Sequence, residues 1–160
     1  MKNLAVGLLC MLLLTACNVS FSTGGTSALP GPTAGTAEQR LEAEAAARSY
    51  LGMIDREEFQ RTWDQSGPAL RAQSSEFAWK NMLKLAVKTL GSSRKRELDG
   101  CGFSTRIDAS VPEGEYVLVQ FKSASGSTTT TEKVVMQKDQ SQWKIIGYFV
   151  TKHAEYRPGT

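Results

Sequence analysis

The sequence predicts an α+β fold in which about three N-terminal helices pack on a curved antiparallel sheet of about four strands. Apolar residues with helical spacing are confined to positions 36–90, whereas β-rich runs occupy positions 98–151. The two kinds of pattern do not interleave along the chain. Helices followed by a run of strands are typical of α+β proteins with an antiparallel sheet. We therefore expect a single domain over residues 36–153.

Residues 1–16 have the composition of a secretory signal peptide. Lys2 supplies a basic start, and an apolar run follows from position 4 to position 14. This run is shorter than the roughly 20 residues that a helix needs to span a bilayer. We therefore expect a cleaved signal peptide here.

The four residues at the end of this segment, Leu14-Thr15-Ala16-Cys17, resemble the lipobox of bacterial lipoproteins. The resemblance implies that Cys17 is acylated, for example with palmitate, and anchors the chain to a membrane. By resemblance to Gram-negative lipoproteins, Asn18 after the cysteine favours the outer membrane, with the domain facing the periplasm. An ordinary signal peptide with a chance cysteine is the alternative.

Net charge and cysteine usage exclude few functions. The formal net charge is +3, which is too small to imply a nucleic-acid partner. Once residues 1–16 are removed and Cys17 is lipidated, Cys101 is the one remaining thiol, and it has no partner for a disulfide within the chain. We interpret Cys101 as a small buried apolar residue, with a reactive or intermolecular cysteine as the alternative.

Residues 17–35 are rich in Ser, Thr, Gly and Pro, which predicts a flexible linker. The domain begins at Thr36 and Gln39, whose spacing predicts a capping box at the start of the first helix. We expect this helix to end at Gly52 or just after it. The apolar face of the helix comprises Ala43, Ala47, Tyr50, Leu51 and Ile54.

A second capping box is predicted at Asp55 and Glu58, with a hydrophobic staple across it. This interpretation makes Asp55 a helix cap and not a catalytic carboxylate. Phe59 and Trp63, four residues apart, are expected to pack inward from a short second helix. The Gly67–Pro68 pair is expected to end that helix.

A third helix is predicted over residues 75–90, with Gly91 just beyond its end. Lys80, Lys84 and Lys88 stand four residues apart on its outer side. They suggest contact with an anionic surface, and a solvated helix face is the alternative. The predicted core face comprises Ala78, Trp79, Met82, Leu83, Ala86 and Leu90.

The strand region begins with a poorly formed strand over residues 98–107. Gly100 and Gly102 interrupt it, so we expect a bulge. Residues 115–122 alternate cleanly between apolar and polar side chains and predict a second strand. Residues 123–130 are rich in Ser and Thr and are expected to form a loop.

Two β-rich runs, residues 131–138 and 142–151, flank a short polar turn and predict a hairpin. The second run is apolar on both faces, which favours a central position in the sheet. Its predicted faces are Trp143, Ile145, Gly147 and Phe149 on one side, and Ile146, Tyr148 and Val150 on the other.

Three blocks of sequence carry a resemblance to a known family: residues 50–63, Gly114-Glu-Tyr-Val-Leu-Val-Gln-Phe and Trp143-Lys-Ile-Ile-Gly-Tyr. Over about residues 40–151 the chain resembles the uncharacterised bacterial family called domain of unknown function 4019. The resemblance implies a cone-shaped α+β fold similar to nuclear transport factor 2, with helices in the hollow of a curved sheet. It implies no established activity and no catalytic residues.

Enzymes with this cone fold use a carboxylate or histidine base inside the cavity. No candidate shows a spacing that only catalysis would need, and the single histidine, His153, follows the last predicted strand. We therefore predict no catalytic residue, no metal ligands and no cofactor. The groups considered are the carboxylates Asp55, Asp64, Asp108 and Glu115, and the hydroxyls Tyr50, Tyr116 and Tyr148.

These observations favour a lipid-anchored periplasmic domain that is not an enzyme and that binds a protein partner or helps assemble an envelope complex. Its expected contacts are the membrane, through Cys17, and an envelope protein, but no nucleic acid. The alternatives are small-molecule binding or enzymatic use of the cone-shaped cavity, and self-association through the sheet. The candidate binding surface comprises Lys80, Lys84, Lys88, Arg94, Lys95, Arg96 and Tyr148.

Overall fold

The computed structural model describes residues 31–91, 95–108, 111–125 and 127–154. The predicted signal peptide, Cys17, the first part of the predicted linker, Arg94 and the residues from 155 onward lie outside these ranges. The predicted α+β class is confirmed. The elements are helices α1 (Ala37–Asp55), α2 (Phe59–Asp64), α3 (Pro68–Gln73) and α4 (Glu76–Leu90), then strands β1 (Glu97–Ser104), β2 (Tyr116–Ser125), β3 (Thr128–Asp139) and β4 (Gln142–Ala154).

The described residues form four helices, where the sequence predicted about three. The additional helix is α3, which begins at the Gly67–Pro68 pair that was expected only to end α2. Gly67 is the N-cap residue in an extended conformation, and Pro68 occupies the first turn. A proline is well tolerated there because its missing N–H would have no partner within the helix.

The start of α1 forms as predicted. Gln39 N–H donates to Thr36 Oγ1 at 3.1 Å, and Thr36 N–H donates to Gln39 Oε1 at 2.7 Å, which completes the capping box. The predicted apolar face is confirmed, and Ala43 and Ala47 are fully buried. Small side chains at these positions let α1 pack closely against its neighbours.

The four strands form an open antiparallel sheet in the order β1-β2-β3-β4. The β3–β4 hairpin is confirmed, but β4 is an edge strand, so the prediction of a central strand is wrong. Part of its outer edge is covered by the connection between α2 and α3. Ser66 forms a bridge with Ile145, and Gly67 N–H donates to Ile145 O at 2.7 Å. This cover accounts for apolar residues in an edge strand.

One extra residue in β4 changes which side chains face the helices. The β3–β4 register shifts so that Ile146 has no paired residue in β3. Beyond this bulge Tyr148 joins Ile145 in the core, and Phe149 is 59% exposed. The predicted faces of this strand are therefore wrong beyond Ile146, because they assumed an unbroken alternation.

The other strands differ from prediction mainly in length. The bulge expected in β1 is confirmed and lies between Leu98 and Gly100. Most of the predicted 123–130 loop belongs instead to β2 and β3, where Ser123 pairs with Thr130. Threonine is β-branched and favours strands, so a Ser/Thr-rich run was compatible with a longer hairpin.

The core lies between the helices and one face of the sheet. Phe121 and Val134 are fully buried on the sheet, and Leu83 is fully buried on α4. The predicted core face of α4 is confirmed at Trp79 and Leu83 but not at Met82, which is 36% exposed. Val87 is buried instead. The core therefore meets α4 along a line shifted away from the side on which Met82 lies.

Candidate functional site

Arg96 lies at the centre of a charged cluster inside the domain, and 7% of its side chain is exposed. Its Nη1 and Nη2 donate to Asp55 Oδ2 and Oδ1 at 2.5 and 2.8 Å. Its Nε and Nη2 donate to Glu132 Oε2 and Oε1 at 2.7 and 3.2 Å. Glu132 Oε1 also accepts a hydrogen bond from Tyr148 Oη at 2.5 Å. We call these four residues the Arg96 cluster.

Four different elements bring the Arg96 cluster together. Asp55 is the last residue of α1, and Arg96 immediately precedes β1. Glu132 lies on β3 in phase with the buried Val134, so its side chain points into the core. Tyr148 reaches Glu132 because the β4 bulge turns it inward. The cluster therefore connects the end of α1 and the residue before β1 to strands β3 and β4.

Every nitrogen of the Arg96 guanidinium donates to a carboxylate of the same chain. Burial by itself lowers the pKa of Arg96, but hydrogen bonds to Asp55 and Glu132, with their charges, outweigh burial and raise this pKa above its usual value. Two-pronged contacts of this kind are strong and geometrically specific. The prediction that Arg96 contributes to an exposed binding surface is therefore wrong, because its guanidinium is buried against carboxylates of the same chain.

Asp55 does not cap α2, contrary to the sequence interpretation. α1 extends to Asp55, and α2 begins only at Phe59, after an N-cap residue, Glu58, whose side chain makes no capping bond. The turn between these helices includes Glu57 at a φ of 58°. The carboxylate of Asp55 binds instead to Arg96, 41 residues further along the chain.

Tyr50 places a second polar group in the interior. Trp79 Nε1 donates to Thr62 Oγ1 at 3.3 Å, and Thr62 Oγ1 donates to Phe59 O at 2.7 Å. The Tyr50 hydroxyl lies beside Thr62 and Trp79 but has no hydrogen-bond partner of good geometry among the described residues. Desolvation by burial raises the pKa of Tyr50 well above its usual value. The Tyr50 hydroxyl is therefore neutral in the folded protein at neutral pH.

An apolar groove lies on the surface between α4 and the second half of β4. Its volume is about 330 Å³. Leu85 in its wall is 65% exposed, and Tyr148 lines it from the side of the sheet. We call it the α4–β4 groove; its lining residues are Met82, Leu85, Ala86, Thr89, Leu90, Tyr148, Val150 and Lys152.

The predicted basic surface divides among several environments. Lys80 is held by Glu76 Oε1 at 2.7 Å and by Gln60 Oε1 at 2.9 Å. Lys84 and Lys88 are exposed on α4. Lys95 is also exposed, with its Nζ 3.7 Å from Glu97. Of the lysine column, therefore, two members are presented to solvent without an ion pair among the described residues.

The remaining candidate carboxylates, the histidine and Tyr116 do not form one site. Asp64, Asp108, Glu115 and His153 are exposed at separate places on the surface. The Tyr116 hydroxyl donates to Pro112 O at 2.7 Å, which is a structural contact in a turn.

The Cys101 thiol is half-buried against the core, where the sequence predicted a small buried apolar residue, and it forms no disulfide with any described residue. Desolvation by burial raises the pKa of Cys101, although the charge of Arg40 opposes the shift. A raised thiol pKa reduces the thiolate fraction and disfavours nucleophilic chemistry.

A second cavity of about 220 Å³ lies beside Trp143, near the start of α1. Phe103 and Trp143 form its aromatic wall, with ring centroids 6.2 Å apart. Lys138 and Glu115 supply opposite charges at its rim. The buried Nε1 of Trp143 has no hydrogen-bond partner among the described residues. The cavity therefore has both apolar and polar surfaces.

Glu132 is the residue of the candidate site that sequence reasoning missed. It is 1% exposed, although it lies in a run of threonines and a lysine that reads as polar strand surface. The available signal was phase, because Glu132, Val134 and Met136 occupy alternate positions of one strand. A carboxylate in phase with buried apolar residues predicts a buried cationic partner.

A family model described as "Protein of unknown function (DUF4019)" matches residues 46–148. No curated protein and no solved structure matches the chain. Within the part of the chain that the structure describes, no cluster of His, Cys, Asp or Glu is arranged to hold a metal ion. None of the described helices is long and apolar enough to cross a membrane.

Proposed function

Because this chain belongs to the DUF4019 family, whose description assigns no activity, we propose a function from its own residues. The protein is a lipid-anchored domain of the cell envelope that acts without catalysis by binding a protein partner. The anchor is the lipidated Cys17, the membrane is the outer membrane, and the domain faces the periplasm. The cone-shaped fold implied by the family resemblance remains part of this proposal.

One observation supports protein binding above all others, and it is the α4–β4 groove. Leu85 and Met82 are exposed large apolar side chains on its helical wall, beside the half-buried Val150. Contiguous exposed apolar surface in a soluble domain marks an interaction site more often than chance. The groove lies at the surface, where a polypeptide can reach it.

The interior supports a role without catalysis. Arg96 is a buried cation, and all three of its guanidinium nitrogens donate hydrogen bonds to Asp55 and Glu132. The half-buried thiol of Cys101 has a raised pKa, which is the opposite of what a nucleophile requires. Neither group is prepared to act on a substrate.

The lipid anchor is tested by metabolic labelling with a palmitate analogue in Gram-negative cells producing the full chain. We expect the label in the wild-type protein and in Cys101→Ala, and its loss in Cys17→Ala. Wild-type and Cys101→Ala should partition into detergent and co-fractionate with the outer membrane. Label retained by Cys17→Ala would contradict the anchor, and co-fractionation with the inner membrane would contradict its location.

Protein binding is tested with a photo-crosslinking amino acid placed at Leu85 of the full chain, in cells that naturally produce it. The matched control carries the same group at Leu41, an exposed leucine of α1 that is 69% exposed. We expect a discrete adduct with one protein from position 85 and none from position 41. Equal labelling from both positions, or none from either, would contradict a partner at the groove.

Small-molecule binding remains a second candidate because of the cavity beside Trp143. The buried indole N–H of Trp143 has no hydrogen-bond acceptor among the described residues, and a polar ligand would supply one. A screen of small aromatic acids by thermal stabilisation tests this candidate. A hit that stabilises the wild type but not Trp143→Phe supports it, whereas equal stabilisation of both locates the ligand elsewhere.

A further inference from the structure

Among the described residues, only part of the outer edge of β4 is covered. Ser66 and Gly67 pair with Ile145 in the first half of the strand. From Phe149 to His153, no described residue pairs with that edge or donates a backbone hydrogen bond to it. An uncovered strand edge presents backbone N–H and C=O groups to any extended chain that comes alongside.

The uncovered half of β4 is also the half that borders the α4–β4 groove. Val150 lines the groove from the strand, and Leu85 faces it from the helix. A chain added along this edge would place every second side chain over the groove, because side chains alternate along a strand. The backbone edge and the apolar groove therefore suit the same extended occupant.

The charges around this edge select among possible occupants. β4 carries Lys144, Lys152 and His153 and has no acidic residue, and α4 has no acidic residue after Glu76. A second copy pairing antiparallel through the same half of its own β4 would bring the two copies of Lys152 close together, which is unfavourable. An occupant with acidic side chains would be attracted to the same edge.

We infer that the open half of β4 binds an extended, acidic segment of another protein by strand addition, with alternate apolar side chains inserted in the α4–β4 groove. This inference rests on the proposed function, since it names the chemistry of the partner at the same groove. Backbone hydrogen bonds to β4 supply pairing, Leu85 and Val150 select apolar side chains, and Lys152 selects for negative charge.

The probe is a synthetic, end-capped peptide of about eight residues in which Val alternates with Glu. Binding to the purified full chain is measured by anisotropy of the labelled peptide at several salt concentrations. Two control peptides change one property each: Lys replaces Glu in the first, and two central residues are N-methylated in the second. We expect binding of the parent peptide that weakens with salt, and loss of binding by about tenfold or more for both controls.

Two exposed substitutions test the location without threatening the fold. Leu85→Ser and Lys152→Glu should each weaken peptide binding by about tenfold. Leu41→Ser makes the same apolar-to-polar change on α1, and Lys122→Glu makes the same charge reversal on β2, two strands from β4; both should leave binding unchanged. The parent peptide should also slow amide hydrogen exchange within residues 149–153.

Each contrary result has a distinct meaning. If the peptide does not bind, or the N-methylated peptide binds equally well, strand addition is wrong. If sedimentation shows a dimer that Leu85→Ser dissociates, the occupant is a second copy and the inference is overturned. A crosslinked partner at Leu85 without peptide binding leaves the proposed function intact and rejects only this inference, whereas failure of both experiments rejects both.

Discussion

The Arg96 cluster and the α4–β4 groove lie side by side and share Tyr148, yet they reverse the usual distribution of polarity. The hydroxyl of Tyr148 contacts a carboxylate inside the domain, while the same residue also lines an apolar groove open to solvent. Buried charge and exposed apolar surface are the two departures from the usual pattern that carry information. Under the proposed function, stability depends on the buried charges and recognition depends on the exposed apolar residues, so the two properties rest on different side chains.

Arg96→Met should give the largest change in stability. It removes a cation that the carboxylates of Asp55 and Glu132 share, and breaking a buried ion pair costs about 3–5 kcal/mol. Lys95→Met alters the adjacent residue, whose side chain is 90% exposed, and should cost less than about 0.5 kcal/mol. Urea unfolding of the full chain measures both. Equal losses for the two variants would mean that the cluster does not stabilise the fold.

Tyr148→Phe separates the two regions at the residue that joins them. Loss of the hydrogen bond to Glu132 should lower the free energy of unfolding by about 1.5–3 kcal/mol, because the acceptor is a carboxylate. The ring remains, so binding at the groove should not change. Tyr116→Phe removes a bond to a neutral carbonyl and should cost about 1 kcal/mol. Weaker peptide binding with unchanged stability would reverse this assignment.

Tyr50 tests what happens when a buried polar group is not paired as Arg96 is. Its pKa is raised in the folded protein, so its contribution to stability is complete below the unfolded-state pKa of about 10 and declines as pH rises above it. Above that pH the loss should approach about 1.4 kcal/mol per pH unit. Tyr50→Phe should be near neutral at pH 7 and should remove this slope. Parallel profiles of wild type and variant from pH 8 to 11 would show that Tyr50 ionises freely in the fold.

Two leucines of α4 give the smallest effect and its contrast. Leu85→Ser should change the free energy of unfolding by less than about 0.5 kcal/mol, because Leu85 is exposed. Leu83→Ala, two residues earlier, removes a fully buried side chain and should cost about 2–5 kcal/mol. Thermal and urea unfolding compare them directly. A large loss for Leu85→Ser would mean that the groove is part of the core and not an interface.

Local signals in the sequence predicted the elements well. The capping box at Thr36 and Gln39 located the start of α1, and the alternation of Val117, Val119 and Phe121 identified the core face of β2. These signals depend on residues within a few positions of each other. Hydrogen bonds and side-chain phase at that range are largely independent of the rest of the fold.

The candidate site was not predictable in the same way, because its contacts join distant positions. Asp55 has the sequence context of a helix cap, but it lies within reach of Arg96 only once α1 and β1 are packed together. Arg96 follows two other basic residues and looks like part of a surface charge run. Tyr148 needs the bulge at Ile146 to face the core. Long-range packing decided all three.

The bulge at Ile146 has a consequence for comparing this chain with its relatives. The segment from Trp143 to Tyr148 contains one residue more than an unbroken strand would need to keep both aromatic rings on the same face. A family member without the bulge should therefore be one residue shorter here if it retains both aromatic residues. An alignment that places no gap in this segment would align Tyr148 with a residue that faces the opposite side of the sheet. The length of this short segment is thus a marker for whether a relative preserves the tyrosine that joins the cluster to the groove.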